Sequence, residues 1–164
     1  MNKFGFGNAD LPGVYYDEEN RRHLLTIRGA YAEFASYLSV RNRKEDARKL
    51  LEKADKGMSQ ENFPYGLVSR GNMHNRTSLM FLEACYRADD KELAAKVYAS
   101  VKKDLEQQIK YYNTLDGWKA DNQGEERRMA ENYLKTMDEM QKSFNVTKVS
   151  SPEAGKVIDS NAKK

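Results

Sequence analysis

The chain has 164 residues, 39% of them hydrophobic and 32% charged, a length that suits one domain burying roughly 70% of its unfolded surface. Twenty-eight Lys and Arg against 25 Asp and Glu leave a net charge of +3, and basic groups such as Arg21-Arg22 and Arg127-Arg128 alternate with acids. That interleaving argues against the uncompensated basic stripe of a nucleic-acid binder, and no run nears the roughly 18 apolar residues that cross a bilayer.

Residues 1–16 mix glycines with spaced aromatics and keep no helical period, so they are expected to lie on the helices as an extended arm. Asp17 is placed as an N-cap, followed by Glu18 and Glu19, where the helix dipole favours acids. From there to Val40 the apolar positions Leu24, Ile27, Tyr31, Phe34 and Leu38 repeat at three and four, the pattern of an amphipathic helix. Arg41 to Lys44 make a turn, a second helix runs to Lys56, and Gly57 is placed to close it in the left-handed region. Tyr31, Phe34, Ala35 and Leu38 on the first helix then face Ala47, Leu51 and Ala54 on the second. Such alternation of small and large apolar residues lets antiparallel helices approach closely, as in a tetratricopeptide hairpin.

The stretch from Met58 to Asn75 contains Pro64, Gly66 and Gly71 and reads as an irregular connection, either functional or a loose linker. A third helix is expected over Arg76 to Arg87, and a fourth from the Asp89-Asp90 cap to about Asn113. Lys44-Glu-Asp-Ala-Arg-Lys-Leu-Leu and Lys91-Glu-Leu-Ala-Ala-Lys-Val-Tyr align without a gap, 47 residues apart. An ordinary tetratricopeptide repeat is about 34 residues, so the Pro64 stretch supplies the excess. Asp116-Gly117 marks a turn, and a last helix over Gly124 to Phe144 carries Met129, Tyr133, Met137, Met140 and Phe144 on one face. That face would cap the stack or pair with a copy of itself in a homodimer. The expected fold is therefore all-α, a right-handed stack of about five helices in hairpins over residues 17–145, with a flexible polar tail over 146–164.

Chemistry-bearing patterns are sparse. His23 and His74 lack the spacing that puts two ligands on one helix face, and Cys85, the one cysteine, sits in an apolar helical stretch, so neither a metal nor another cofactor is expected. No serine occupies a Gly-x-Ser-x-Gly elbow. Aromatic and basic density stands out instead: ten tyrosines, with Tyr15, Tyr16 and Arg28 near the first helix and Tyr65 and His74 from the Pro64 stretch. Tyrosine and arginine anchor interfaces, which makes these five the candidate binding residues. Arg28 is expected at the edge of the buried face, where it would pin the arm or the loop through a carboxylate or carbonyl partner.

The order Pro12-Gly-Val-Tyr15-Tyr-Asp17, then Arg28, then the alanine hairpin, then Phe63-Pro64-Tyr65 resembles the C-terminal soluble region of a family of large bacterial membrane proteins. The membrane half of that family is similar to protein O-mannosyltransferases, a polytopic glycosyltransferase class. The resemblance covers residues 4 to 145 and implies a tail whose transmembrane half is absent, on the periplasmic face of the inner membrane. It implies contact with that membrane half, an acceptor protein or another envelope component.

Three functions follow as expectations. The first is a non-catalytic helical-repeat domain that binds a protein or peptide. The second is a free-standing soluble adaptor or oligomerisation module. The third, an anion- or nucleic-acid-binding module, would use Arg21, Arg22, Arg28 and Arg41.

Overall fold

The computed structural model describes residues 5–149, with side chains to 144. Among the described residues there are six helices and no strands: α1 (Glu18–Val40), α2 (Lys44–Gly57), α3 (Met73–Arg87), α4 (Lys91–Tyr112), α5 (Gly117–Asn122) and α6 (Gly124–Val149). The all-α class is as the sequence implies. The expected tail lies outside the described residues from 150 on, and its first residues, 146–149, belong to α6.

The α1 start follows the cap reading, since the Asp17 carboxylate accepts from Asn20 N at 2.8 Å. Its end is a Schellman turn: Asn42 is left-handed (φ 60°), Asn42 N donates to Ser39 O, and Arg43 N donates to Leu38 O. α3 closes identically around left-handed Asp89 (φ 62°), with Asp89 N donating to Tyr86 O and Asp90 N to Cys85 O. Asn42 and Asp89 are 47 residues apart, as are the helix starts Lys44 and Lys91. The sequence register is thus a register of backbone geometry.

α1 packs on α2 and α3, α3 on α4, and α6 on α3 and α4. Ala32 and Ala35 of α1 and Ala47, Leu51 and Ala54 of α2 are buried at the first hairpin, where the small residues were expected to meet. Tyr31 and Leu38 are half-buried beside them. Phe34 is a correction: it stands 52% exposed beside Tyr37. The buried stripe of α1 runs through Leu24, Arg28, Ala32 and Ala35, and one residue before Ala35 is a rotation of about 100°, which turns Phe34 outward.

Gly57 is also corrected. It ends α2 without a left-handed φ, and Met58 is the C-cap. What requires glycine there is Phe6, whose ring would lie 2.2 Å from an added Cβ. Residues 7–13 are turns rather than an extended run, with Gly7, Asn8 and Gly13 at positive φ. They sit over the end of α2: Ala9 is fully buried, Ser59 N donates to Ala9 O, and Asn62 Nδ2 donates to Ala9 O and Leu11 O.

Three further boundaries differ. α3 begins at Met73, three residues early, because a 3-10 turn at Arg70–Asn72 leads into it and Ser69 Oγ accepts from His74 N at 2.9 Å. The turn at Asp116-Gly117 opens the six-residue α5. The Met-rich face of α6 packs within the chain, with Met137 fully buried and Phe144 stacked on Tyr86 at 5.2 Å.

Candidate functional site

Three of the five sequence candidates meet around residues 63–65. Arg28 comes from the third turn of α1, Tyr65 from the irregular stretch, and His74 from the first turn of α3. Arg28 is 1% exposed, in the centre of the buried face rather than at its edge. Its guanidinium lies between the Phe63 and Tyr65 rings, 4.3 and 4.4 Å from their centroids. Nη2 donates to Phe63 O at 2.7 Å and Nη1 to Pro64 O at 3.0 Å. Two aromatic faces and two carbonyls hold this charge, and no carboxylate bonds it directly. Burial lowers its pKa to about 10, against the pull of Tyr65 and Asp55, so it remains a cation at neutral pH.

His74 approaches the same carbonyl, with Nε2 at 2.7 Å from Pro64 O. A carbonyl only accepts, so Nε2 carries the proton, and its 3.4 Å approach to Arg28 Nη1 is a contact between two donors. Burial and then the Arg28 charge depress the His74 pKa to about 4, which leaves it neutral at pH 7. Its ring meets Phe63 edge-on at 4.9 Å. Tyr65 is 1% exposed; its hydroxyl donates to Asp55 Oδ1, which also takes Lys96 Nζ, and burial raises its pKa strongly. Ser78 Oγ donates to Tyr65 O, Gln60 Oε1 accepts from Tyr65 N, and Ser100 Oγ accepts from Gly66 N.

Arg28, Tyr65 and His74 are therefore a clasp that fixes the irregular stretch against α1 and α3. Their side chains are committed within the protein, Arg28 and His74 to the carbonyls of residues 63 and 64 and Tyr65 to Asp55. The Pro64 stretch is no loose linker.

A second knot ties the stretch to α4. Asn72, left-handed at φ 50°, donates from Nδ2 to Gln108 Oε1, and Asn75 Nδ2 bridges Asn72 Oδ1 and Asp104 Oδ2 at 2.7 Å each. Gln108 Nε2 donates to the same Asp104 oxygen, and Leu67 N to Asn75 Oδ1. Sequence reasoning missed this network, although Asn72 and Asn75 at i, i+3 and Asp104 and Gln108 at i, i+4 each share a helix face.

Tyr15 and Tyr16 are not part of the clasp. Tyr15 is 83% exposed, and the Tyr16 hydroxyl donates to Gly7 O. Of the four arginines expected to share an anion surface, Arg28 is internal and Arg41 stacks over Tyr37 at 3.6 Å at the far end of α1. Nineteen residues of helix, about 28 Å, separate Arg41 from Arg22.

Several hollows open to solvent, two of them beside α1. One, of about 600 Å³, lies between the first turns of α1 and residues 67–74, with Arg21, Arg22 and Arg70 on its rim and Leu25, Val68 and Met73 on its walls. It borders the clasp through His74. The other, of about 240 Å³, is almost wholly apolar and lies between Phe6, Tyr31, Phe34 and Leu50. Cys85 is buried, which raises its thiol pKa well above the ordinary value. Among the described residues no group of three or more His, Cys, Asp or Glu is placed to hold a metal ion, and no helix is long and apolar enough to cross a membrane. Comparison with family models, with curated proteins and with solved structures finds no match to this chain.

Proposed function

We propose that this chain is a non-catalytic helical-repeat interaction domain of tetratricopeptide-like design. The observation that carries the reading is the pair of identical Schellman turns at Asn42 and Asp89, 47 residues apart, each joining two helices with buried small residues. Repetition of one hairpin with α1 laid against α3 is how helical arrays build a continuous core and an extended surface. The Pro64 stretch that lengthens the repeat is spent on the Arg28 clasp. Its outer wall, residues 67–70, leaves a cleft beside α1.

The resemblance in the Pro12–Tyr15, Arg28 and Phe63–Tyr65 segments adds a larger setting. In it the domain is the soluble C-terminal part of a membrane-anchored, glycosyltransferase-like protein facing the periplasm, and it contacts that protein's membrane half or an acceptor protein. An antibody raised against the chain tests this in fractionated source cells. A membrane-bound band far above 18.9 kDa is the expected result, and a soluble band near 18.9 kDa refutes the fused setting in favour of a free-standing adaptor.

Binding itself is tested by selecting displayed random 12-residue peptides on the immobilised full chain. Enrichment of peptides that bind saturably at one per chain is expected. A selection that enriches nothing above a blank surface refutes the interaction reading.

A further inference from the structure

The cleft between α1 and residues 67–74 brings arginine side chains together with apolar walls. Several arginines elsewhere are paired along their own helices: Arg43 with Asp46, Arg48 with Glu45, Arg87 with Glu83, Arg127 with Glu131. At the cleft the pairing is incomplete. Arg70 has no acceptor among the described residues. Arg21 spends only Nε, on Tyr16 O at 2.9 Å, which leaves both Nη groups of its fork uncommitted. Arg22 is held by the exposed Glu19 at 3.1 Å, and Glu18 is the one acid on the rim.

With His74 neutral, three guanidinium groups stand against Glu18 and the Arg22-bound Glu19, which leaves the cleft a formal charge of +1. The walls are apolar: Val68 is 59% and Met73 48% exposed, next to half-buried Leu25. Apolar walls beside arginines with unspent hydrogen-bonding capacity have the composition that recognition surfaces favour. The floor is rigid, because residues 63–67 are fixed by the Arg28 clasp and the Asn75 amide. At about 600 Å³ the cleft lies within the range of formed ligand sites.

On the reading of the chain as an interaction domain, we infer that this cleft is the docking site for an acidic peptide segment that carries apolar side chains between its carboxylates. Arg70 and Arg21 present planar forks that suit carboxylates in a bidentate manner. Val68 and Met73 take the apolar side chains. A nucleic-acid backbone fits less well, since it would engage the arginines and leave the apolar walls without a partner.

The test uses the full chain and a fluorescein-labelled hexapeptide of alternating glutamate and leucine, followed by fluorescence anisotropy at 50 and 300 mM salt. Saturable binding is expected. Arg70→Glu should weaken it about tenfold or more, and a Gln-for-Glu hexapeptide should lose binding to a similar extent. Val68→Asp, on the exposed wall, should weaken it as well, while Lys49→Glu on α2, with the same change in net charge as Arg70→Glu, should leave it within about twofold. Arg70, Val68 and Lys49 are all exposed, so folding of these variants is not at stake, and melting curves would verify it.

Binding that ignores Arg70→Glu and Val68→Asp overturns the site. Equal or tighter binding of a 12-nucleotide polyuridine that displaces the peptide overturns the partner chemistry in favour of a polyanion. Failure of the hexapeptide up to 1 mM overturns this inference alone, because the interaction reading stands or falls separately on the random-peptide selection.

Discussion

His74 gives the sharpest quantitative prediction. Its pKa falls from 6.5 to about 4 because burial and the Arg28 cation both disfavour the imidazolium. The unfolded chain therefore binds the proton more readily than the folded one between those values, so folding stability is full above about pH 6.5 and is lost as pH falls toward 4. The complete effect is about 3 kcal/mol, of which about 2.5 kcal/mol is reached at pH 4.5. For a domain of this size that corresponds to a Tm drop of about 5–10 °C. Carboxylates also protonate in this range, so the assay is a comparison. Urea melts or thermal scans of the wild type and of His74→Gln would be run from pH 7.5 to 4.5. A glutamine Nε2 can still donate to Pro64 O but does not titrate. The variant is expected to be less stable than the wild type at pH 7.5 and to lose about 2.5 kcal/mol less on acidification. Parallel pH profiles for the two proteins would refute the reasoning, because His74 would then not be held neutral by its surroundings.

Two glycines should respond oppositely. An added Cβ at Gly66 would lie 2.3 Å from Ser100 O and 2.9 Å from Ser100 C, backbone of α4 that cannot step aside, so Gly66→Ala should cost about 3 kcal/mol in urea unfolding. A loss below about 1 kcal/mol would mean that the stretch and α4 are not so closely apposed. At Gly57 the obstacle is the Phe6 ring, the end of a flexible side chain. Gly57→Ala should change global stability by less than about 1 kcal/mol yet expose Phe6 to rapid chymotrypsin cleavage, and unchanged cleavage would contradict the docking of residues 5–13. Tyr65→Phe removes the hydroxyl from Asp55, which keeps Lys96, so a modest loss of about 1 kcal/mol is expected by thermal melting. A loss above about 3 kcal/mol would show that Asp55 depends on Tyr65 rather than on Lys96.

Local signals carried most of the fold. Asp17 and Asp90 cap the helices they were expected to cap, with acceptor contacts to Asn20 N and Leu93 N. The 47-residue alignment located two equivalent turns, although nothing in Asn42 or Asp89 alone announces a left-handed residue. What the sequence hid depends on contacts between distant segments. Arg28 looked like an edge residue because on the helical period it stands one step from Ile27 and three before Tyr31. Its burial becomes intelligible only once Phe63 and Tyr65 fold back to sandwich it. Phe34 looked internal because its spacing is right, but the close approach of Ala32 and Ala35 to their neighbours rotates the buried stripe away from it. Arg28 pins the Pro64 stretch through carbonyls, as its position suggested, and Tyr65 and His74 are drawn into the same clasp. Arg70 and Val68 of the cleft gave no periodic signal, since they lie in irregular backbone.

The claim on which both the fold and the cleft rest is that residues 63–69 are a built part of the core. Amide hydrogen exchange of the full chain tests it most directly, at Tyr65, Gly66, Leu67 and His74, whose N–H groups donate to Gln60, Ser100, Asn75 and Ser69 side chains. Protection of these four amides approaching that of the helix interiors is predicted. In Arg28→Met it should fall selectively, with α4 and α6 still protected. Exchange of the same amides in the wild type at the rate of exposed backbone would contradict the account.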